Sequence, residues 1–206
     1  MARSFEPPTR RGQQQQQQQQ RRRRSVYAAG VLVFALLCDR LVVLLGADRM
    51  GTWSDFGGRS EACDKAPVAT ALRELDEETL RTVSRDMLLL DEAAIHSRTL
   101  CGHRYYLHVA LFRGDESDAR AVVSNFADAH ASSRHSEKTE LRWFEWDEIC
   151  ALTRGWVCPG IALRDVFSRT IVTRLNEVEA ALARLCSKQT HSEDGSAASP
   201  VESEET

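Results

Sequence analysis

Apolar residues near the start of the chain fall in two short runs, residues 26–38 and 41–46, split by Asp39 and Arg40. Both runs are rich in β-branched residues, and a polar break between two such runs predicts a β-hairpin, with strands over 27–35 and 41–45. Residues 48–56 read as a turn leading into an extended segment. Over 67–80 the pattern changes to a helical period, and at 100° per residue Val68, Leu72, Leu75 and Thr79 share one stripe that should face the core. Asp64 is the expected N-cap, with Pro67 in the first turn. Short strands are expected at 88–91 and 94–100, and a strong one at 104–113, "RYYLHVALFR". Residues 114–135 are small and polar and read as a long connection, with a helical turn near 122–129. A strand over 141–146, a short helix from Asp147 and a terminal helix over 161–186 complete a mixed α/β domain, with strands before and after the helix at 67–80.

Charge changes the picture at the ends only. The 206 residues carry a net charge of −3, with 28% charged residues. The chain as a whole is therefore no magnet for nucleic acid or membrane. Residues 1–24 hold seven arginines, one acid and eight consecutive glutamines, and read as a disordered arm. Such an arm can grip RNA phosphates or act as a nuclear-import signal. Residues 187–206 hold five acids and one lysine, and read as a disordered acidic tail. Residues 25–186 form the folded domain between them. Arg21 to Arg24 followed by an apolar run imitate a secretion signal. The run is shorter than the roughly 20 residues a membrane span needs, so no membrane partner is expected and the protein belongs in the cytoplasm or nucleus. The six cysteines show no metal-like spacing and read as reduced, mostly buried thiols.

Candidate chemistry sits in "GGRSEACDKAPVATALRELDEET", residues 57–79. Glu74, Glu77 and Glu78 crowd one side of the helix, where carboxylates three and four residues apart repel one another. Arg73 is the one basic residue between Lys65 and Arg81. Mg²⁺ takes oxygen ligands and commonly bridges one or two carboxylates to a substrate phosphate. Gly57 and Gly58 let a backbone carbonyl approach a metal or phosphate with no Cβ in the way. Together these features point to a metal–phosphate site.

This stretch resembles the Nudix box, the signature of Nudix hydrolases, G-x5-E-x7-R-E-U-x-E-E-x-G-U with U apolar. "RELDEE", Arg73 to Glu78, matches R-E-U-x-E-E throughout, and the double glycine matches its start. The lead-in "LLGADRMGTWSDFGGR" and the later "EKTELRWFEWDEI" are also similar to the family. The chain departs from the pattern in three places. Asp64 stands for the first glutamate, eight residues rather than seven separate it from Arg73, and Leu80 stands for the glycine after the glutamate pair, which suggests that the helix runs on.

The resemblance implies a mixed sheet sandwiched between helices. It also implies Mg²⁺- or Mn²⁺-dependent hydrolysis of a nucleoside diphosphate linked to another group. By matched position Glu74, Glu77, Glu78 and the Gly57 carbonyl would be metal ligands, and Arg73 would hold a glutamate in place. The general base is Glu74 or Glu78, or Glu137 or Glu140 on a later segment. Gly58, Arg49, Trp53 and Phe56 are the candidate substrate contacts, the two aromatics by stacking on a base. The implied substrate is a small nucleotide or capped mRNA, the latter with the arginine-rich arm as an RNA contact. The rival reading is a Nudix-fold module that binds nucleotide or RNA without turnover.

Overall fold

The computed structural model describes residues 27–133 and 136–194. The two apolar runs form the expected hairpin, β1 (Tyr27–Leu37) and β2 (Arg40–Asp48). Cys38 and Asp39 make its turn, with φ of 49° and 59°. Two consecutive positive φ values are what a two-residue hairpin turn of matching twist requires.

β1 is the middle strand of a mixed sheet. It runs antiparallel to β2 and to β4 (Phe56–Arg59), and parallel to β7 (Arg104–Phe112). β3 (Thr52–Ser54) pairs antiparallel with the end of β2, and β8 (Lys138–Glu145) also pairs with β2. β5 (Leu88–Leu90) and β6 (Ile95–Arg98) pair with β7, and β9 (Ala162–Leu163) lies beside β3. A strand covered on both faces needs apolar residues at every position. That accounts for the unbroken apolar run that imitates a secretion signal. Val31, Val33 and Ala35 point to one core and Leu32 and Phe34 to the other.

Helices cover both faces of the sheet. On one side lie α1 (Pro67–Glu78) and α2 (Glu116–Ser132), which contribute Ala71, Leu75, Val122 and Phe126 to the core. On the other lie α3 (Trp146–Thr153) and α4 (Asp165–Asp194), with Trp146, Ile149, Phe167 and Ile171. The fold is the expected mixed sheet between helices. Among the described residues no helix is long and apolar enough to cross a membrane.

Several elements differ from expectation. The connection holds a full helix, α2, over 116–132, opened by a reciprocal capping box between Asp115 and Asp118. The terminal helix begins at Asp165, kinks at Arg174, where φ is −127°, and ends at Asp194, past the expected end at 186. The arginine-rich arm lies outside the described residues. All six cysteines are free, but Cys38, Cys63 and Cys101 are exposed and Cys150 alone is buried, so the thiols are not mostly buried.

The end of α1 corrects a further expectation. The helix stops at Glu78 and does not run on through Leu80. Leu80 and Arg81 take φ of 53° and 60°. The Arg81 N–H donates to the Asp76 carbonyl at 2.8 Å and the Leu80 N–H to that of Glu77 at 3.3 Å. This double bond pattern is a Schellman cap, whose left-handed residue is usually glycine. Leu80 thus adopts the conformation that the glycine of the box pattern would adopt freely. A non-glycine residue there costs roughly 1–2 kcal/mol. Arg81→Gly relieves such strain at an exposed position and is offset in part by added freedom of the unfolded chain. We expect it to stabilise the fold by about 0.5–1 kcal/mol, seen as a higher midpoint in urea. Leu80→Gly should gain less, because Leu80 also packs on the core below.

Candidate active site

β4 carries the double glycine and lies against α1, so the acidic helix and the Gly57–Gly58 backbone form one wall. Gly57 sits opposite Gly30 in the β1–β4 ladder. A Cβ at Gly57 would come within 2.7 Å of the Gly30 Cα and 2.9 Å of the Ala29 carbonyl. The glycine is therefore needed first for strand packing. A Cβ at Gly58 would meet the Glu74 carboxylate at 2.4 Å. Gly58 is what lets Glu74 lie across the backbone of β4.

The three glutamates have different surroundings. The buried stripe of α1 is Ala71, Leu75 and Glu78 with Thr70 and Thr79, while Val68 and Leu72 are only half-buried. Glu78 therefore lies on the core-facing side and not with Glu77. The Gly57 N–H donates to Glu78 Oε2 at 2.8 Å. Burial pushes the Glu78 carboxyl up to about 7, against the pull of Lys138 and the Gly57 N–H. Glu74 is half-buried. Burial also raises its pKa, against Arg73, and the neighbouring Glu77 and Glu137 add to the rise. Glu77 has a side chain 59% exposed and pairs with Arg73 Nη1 at 3.0 Å.

Arg73 ties the loop and helix together. Its Nη2 reaches the Arg59 carbonyl at 2.9 Å, Glu74 Oε1 at 2.9 Å and Asp64 Oδ2 at 3.1 Å. Asp64 is not the N-cap, which is Ala66 with no side-chain bond. Asp64 instead accepts from the Glu61 N–H at 2.8 Å and the Thr70 hydroxyl at 2.9 Å. Burial opposes its ionisation, but the bonds from Arg73, Glu61 and Thr70 win and hold it down at about 2. A carboxylate whose folded pKa lies below its ordinary 3.8 adds stability above that value and loses it as pH falls toward 2. Its side chain is 4% exposed, and at about 1.4 kcal/mol per unit the contribution is about 2 kcal/mol. We expect Asp64→Asn to lose about that much at pH 7 and to flatten the acid limb of the stability curve between pH 4 and 2. Urea unfolding at several pH values checks both.

Lys138 is a residue that sequence reasoning missed. It is 1% exposed. Its Nζ donates to Ser54 Oγ at 2.8 Å and to the Asp55 carbonyl at 3.3 Å, and lies 3.6 Å from Glu78 Oε1. The ladder between β2 and β8 slips by one residue between Ala47 and Asp48. That slip turns Lys138 to the inside, where its stem lies over Gly46, and a Cβ on Gly46 would meet Lys138 Cδ at 2.8 Å. Nearby, Tyr105 donates a short hydrogen bond to Asp55. Burial raises the pKa of both groups, against the Tyr105 hydrogen bond at Asp55, while the Asp55 charge raises that of Tyr105 further. Ser54, Asp55, Gly57, Gly58, Tyr105 and Arg164 line an open cavity of about 280 Å³.

The remaining candidates divide. Glu137 is exposed and close enough for its charge to act on Glu74. Glu140 is exposed two positions past Lys138 and pairs with Ala47, and nothing described brings it to the carboxylates. Arg49 is exposed and donates to the Ser136 carbonyl at 3.3 Å, which anchors the segment before Lys138. Trp53 packs edge-on against Phe144 in the core, and Phe56 is fully buried. Neither offers a ring face to a base, which corrects their assignment as stacking residues.

Among the described residues no three His, Cys, Asp or Glu side chains converge on one point. Mg²⁺ does not require that, since it often takes one or two carboxylates and completes its shell with water and phosphate oxygens. Glu74 and Glu78 fit this mode. Both carboxylates lie against the Gly57–Gly58 backbone, Glu78 through the bond from the Gly57 N–H and Glu74 across Gly58. Glu77 does not join them as placed, because Arg73 holds it at the exposed rim.

No protein-family model matches the chain, and no curated protein matches it. Solved structures that are similar include a Nudix hydrolase, RenU, from M. smegmatis. It is 20% identical over 75% of this chain and 86% of that one, with a TM-score of 0.48. The NUDIX domain of Shewanella oneidensis NrtR, solved with ADP ribose, is 18% identical over 77% and 87%, with a TM-score of 0.46. A C. elegans Ap4A hydrolase is 14% identical over 58% and 80%, with a TM-score of 0.42.

Proposed function

We propose that the chain hydrolyses a nucleoside diphosphate linked to another group, with Mg²⁺ or Mn²⁺ as cofactor. The observation that carries this is the pair Glu74 and Glu78, on successive turns of α1, set against the Gly57–Gly58 backbone, which itself lines an open cavity. Glu74 and Glu78 would hold the cation, which when bound offsets phosphate charge and lowers the pKa of its water. The Gly57 N–H fixes one oxygen of Glu78, and Arg73 fixes Glu74. Arg59 and Arg164 on the cavity wall supply positive charge for phosphate oxygens. Glu78, or Glu137, whose charge acts on Glu74, would take the proton from attacking water. The substrate is a nucleotide, either small or the capped end of mRNA.

Lys138 favours a second reading. A buried ammonium 3.6 Å from Glu78 already supplies part of the positive charge that a cation would bring. A module that binds nucleotide without turnover could be stable on that charge alone. Purified protein incubated with Mg²⁺ or Mn²⁺ and a panel of dNTPs, ADP-ribose, dinucleoside polyphosphates, NADH, CoA and capped RNA separates the two. Product from at least one compound, abolished by EDTA, supports hydrolysis. Tight binding with no product from any compound supports the binding module.

A further inference from the structure

Beyond the turn at residues 99–103, away from the acidic site, lies a larger cleft of about 540 Å³. Four guanidiniums line it: Arg98 and Arg104 from the β6–β7 hairpin, and Arg169 and Arg174 from α4. The ladder sets Arg98 directly opposite Arg104. Like charges in that relation destabilise a sheet. Among the described residues no carboxylate lines the cleft. Arg174 pairs with Glu177 at 2.9 Å through Nη1, while its Nε is buried with no partner among the described residues. The Arg98 Nη1 donates to the Gly102 carbonyl at 3.1 Å, which leaves its charge uncompensated. Arg104 and Arg169 are exposed and make no described ion pair. Arg98, Arg104 and Arg169 thus face one concavity with no described carboxylate partner, and they repel one another unless an anion sits among them.

We propose that this cleft binds a chain of phosphate groups, as in a nucleoside polyphosphate or the backbone of a single-stranded oligonucleotide. A guanidinium pairs with phosphate through two parallel hydrogen bonds, so four of them exceed what one phosphate can use. The half-buried Tyr106 ring and the exposed His96 ring lie at the same wall, 4.9 Å apart. Exposed aromatic surface beside a cationic groove suits a nucleotide chain more than a bare inorganic anion. Thr99 and Tyr105 line both this cleft and the smaller cavity over Gly57 and Gly58. A long anion can therefore span the two.

The test is binding without turnover, so it stands or fails apart from the hydrolase reading. Inorganic tripolyphosphate and 5′-phosphorylated (dT)8 are titrated into the full-length protein by calorimetry at low salt with no divalent cation. At least one should bind, with affinity that falls as salt rises. Arg104→Gln with Arg169→Gln should weaken that binding at least about tenfold, as expected for two lost charge-assisted contacts, while Arg40→Gln on the surface should leave it unchanged. Preference for tripolyphosphate assigns the cleft to the phosphates of a free nucleotide, and preference for the oligonucleotide assigns it to nucleic acid. Binding of neither probe overturns the proposal. So does binding that Arg104→Gln and Arg169→Gln, singly and together, leave intact in variants that melt like the parent.

Discussion

Glu78→Gln should lower Mg²⁺-dependent turnover by at least about a hundredfold, the scale of losing a metal ligand or a proton-transfer group. Glutamine keeps a side-chain oxygen that can accept the Gly57 N–H, so the link between β4 and α1 survives. What the change removes is negative charge, and that charge is what a cation or a proton at this position requires. The variant should remain folded, with Lys138 still bonded to Ser54 and the Asp55 carbonyl. Initial rates on whichever compound the panel identifies, set beside a thermal melt, check both halves. Near-normal turnover in a folded variant would remove Glu78 from the chemistry. Loss of turnover together with loss of the melt would say nothing for chemistry and would mark Glu78 as structural.

The strongly patterned parts of this chain are legible in its sequence. β1, β2 and β7 could be read because a strand buried on both faces must be apolar throughout. α1 could be read from its helical period and its proline at the first helical position. α2 is legible only as a turn near 122–129, because its buried apolar positions, Ala119, Val122 and Phe126, are few among polar residues. Its capping box was in the sequence all the same, as Asp115 and Asp118. In the site, the Arg73 to Glu78 motif gave the helix and its carboxylates but not their different burial. The buried stripe runs through Ala71, Leu75 and Glu78 and not through Val68 and Leu72, so grouping Glu78 with Glu77 on one side hides its burial. Lys138 could not be found by alternation. The ladder slip at Ala47 and Asp48 breaks the two-residue period just before it, and a one-residue slip changes which face a side chain takes. Trp53 and Phe56 were misassigned for a related reason. An aromatic near a glycine looks the same in sequence whether it fills the core or faces a ligand.

The same buried pair that makes Glu78 hard to read makes Lys138 the most sensitive position for stability. Lys138→Met keeps an unbranched stem over Gly46 but removes the ammonium from Ser54, the Asp55 carbonyl and Glu78. Breaking a buried pair from one side leaves the other charge uncompensated, at a cost of about 3 kcal/mol. That cost should depend on pH, and its sign follows from Glu78. The folded pKa of Glu78, about 7, lies above its ordinary 4.5, so folding favours the protonated form. Stability from this group therefore falls as pH rises from about 4.5 to 7. Without Lys138 the folded pKa rises further, and the fall continues above pH 7. The penalty for Lys138→Met should be largest near pH 8. It should shrink near pH 5, where Glu78 is protonated in the fold and only the lost hydrogen bonds remain. Adding Glu78→Gln should recover most of the loss at pH 8, because no charge is then stranded. Urea unfolding of the two single variants and the double variant at pH 5 and pH 8 measures this. A cost that does not change with pH, or a double variant as unstable as the two singles summed, would show that Lys138 and Glu78 are not coupled. In that event the positive charge beside Glu78 would no longer favour a binding module, and the two functional readings would be left to the turnover assay alone.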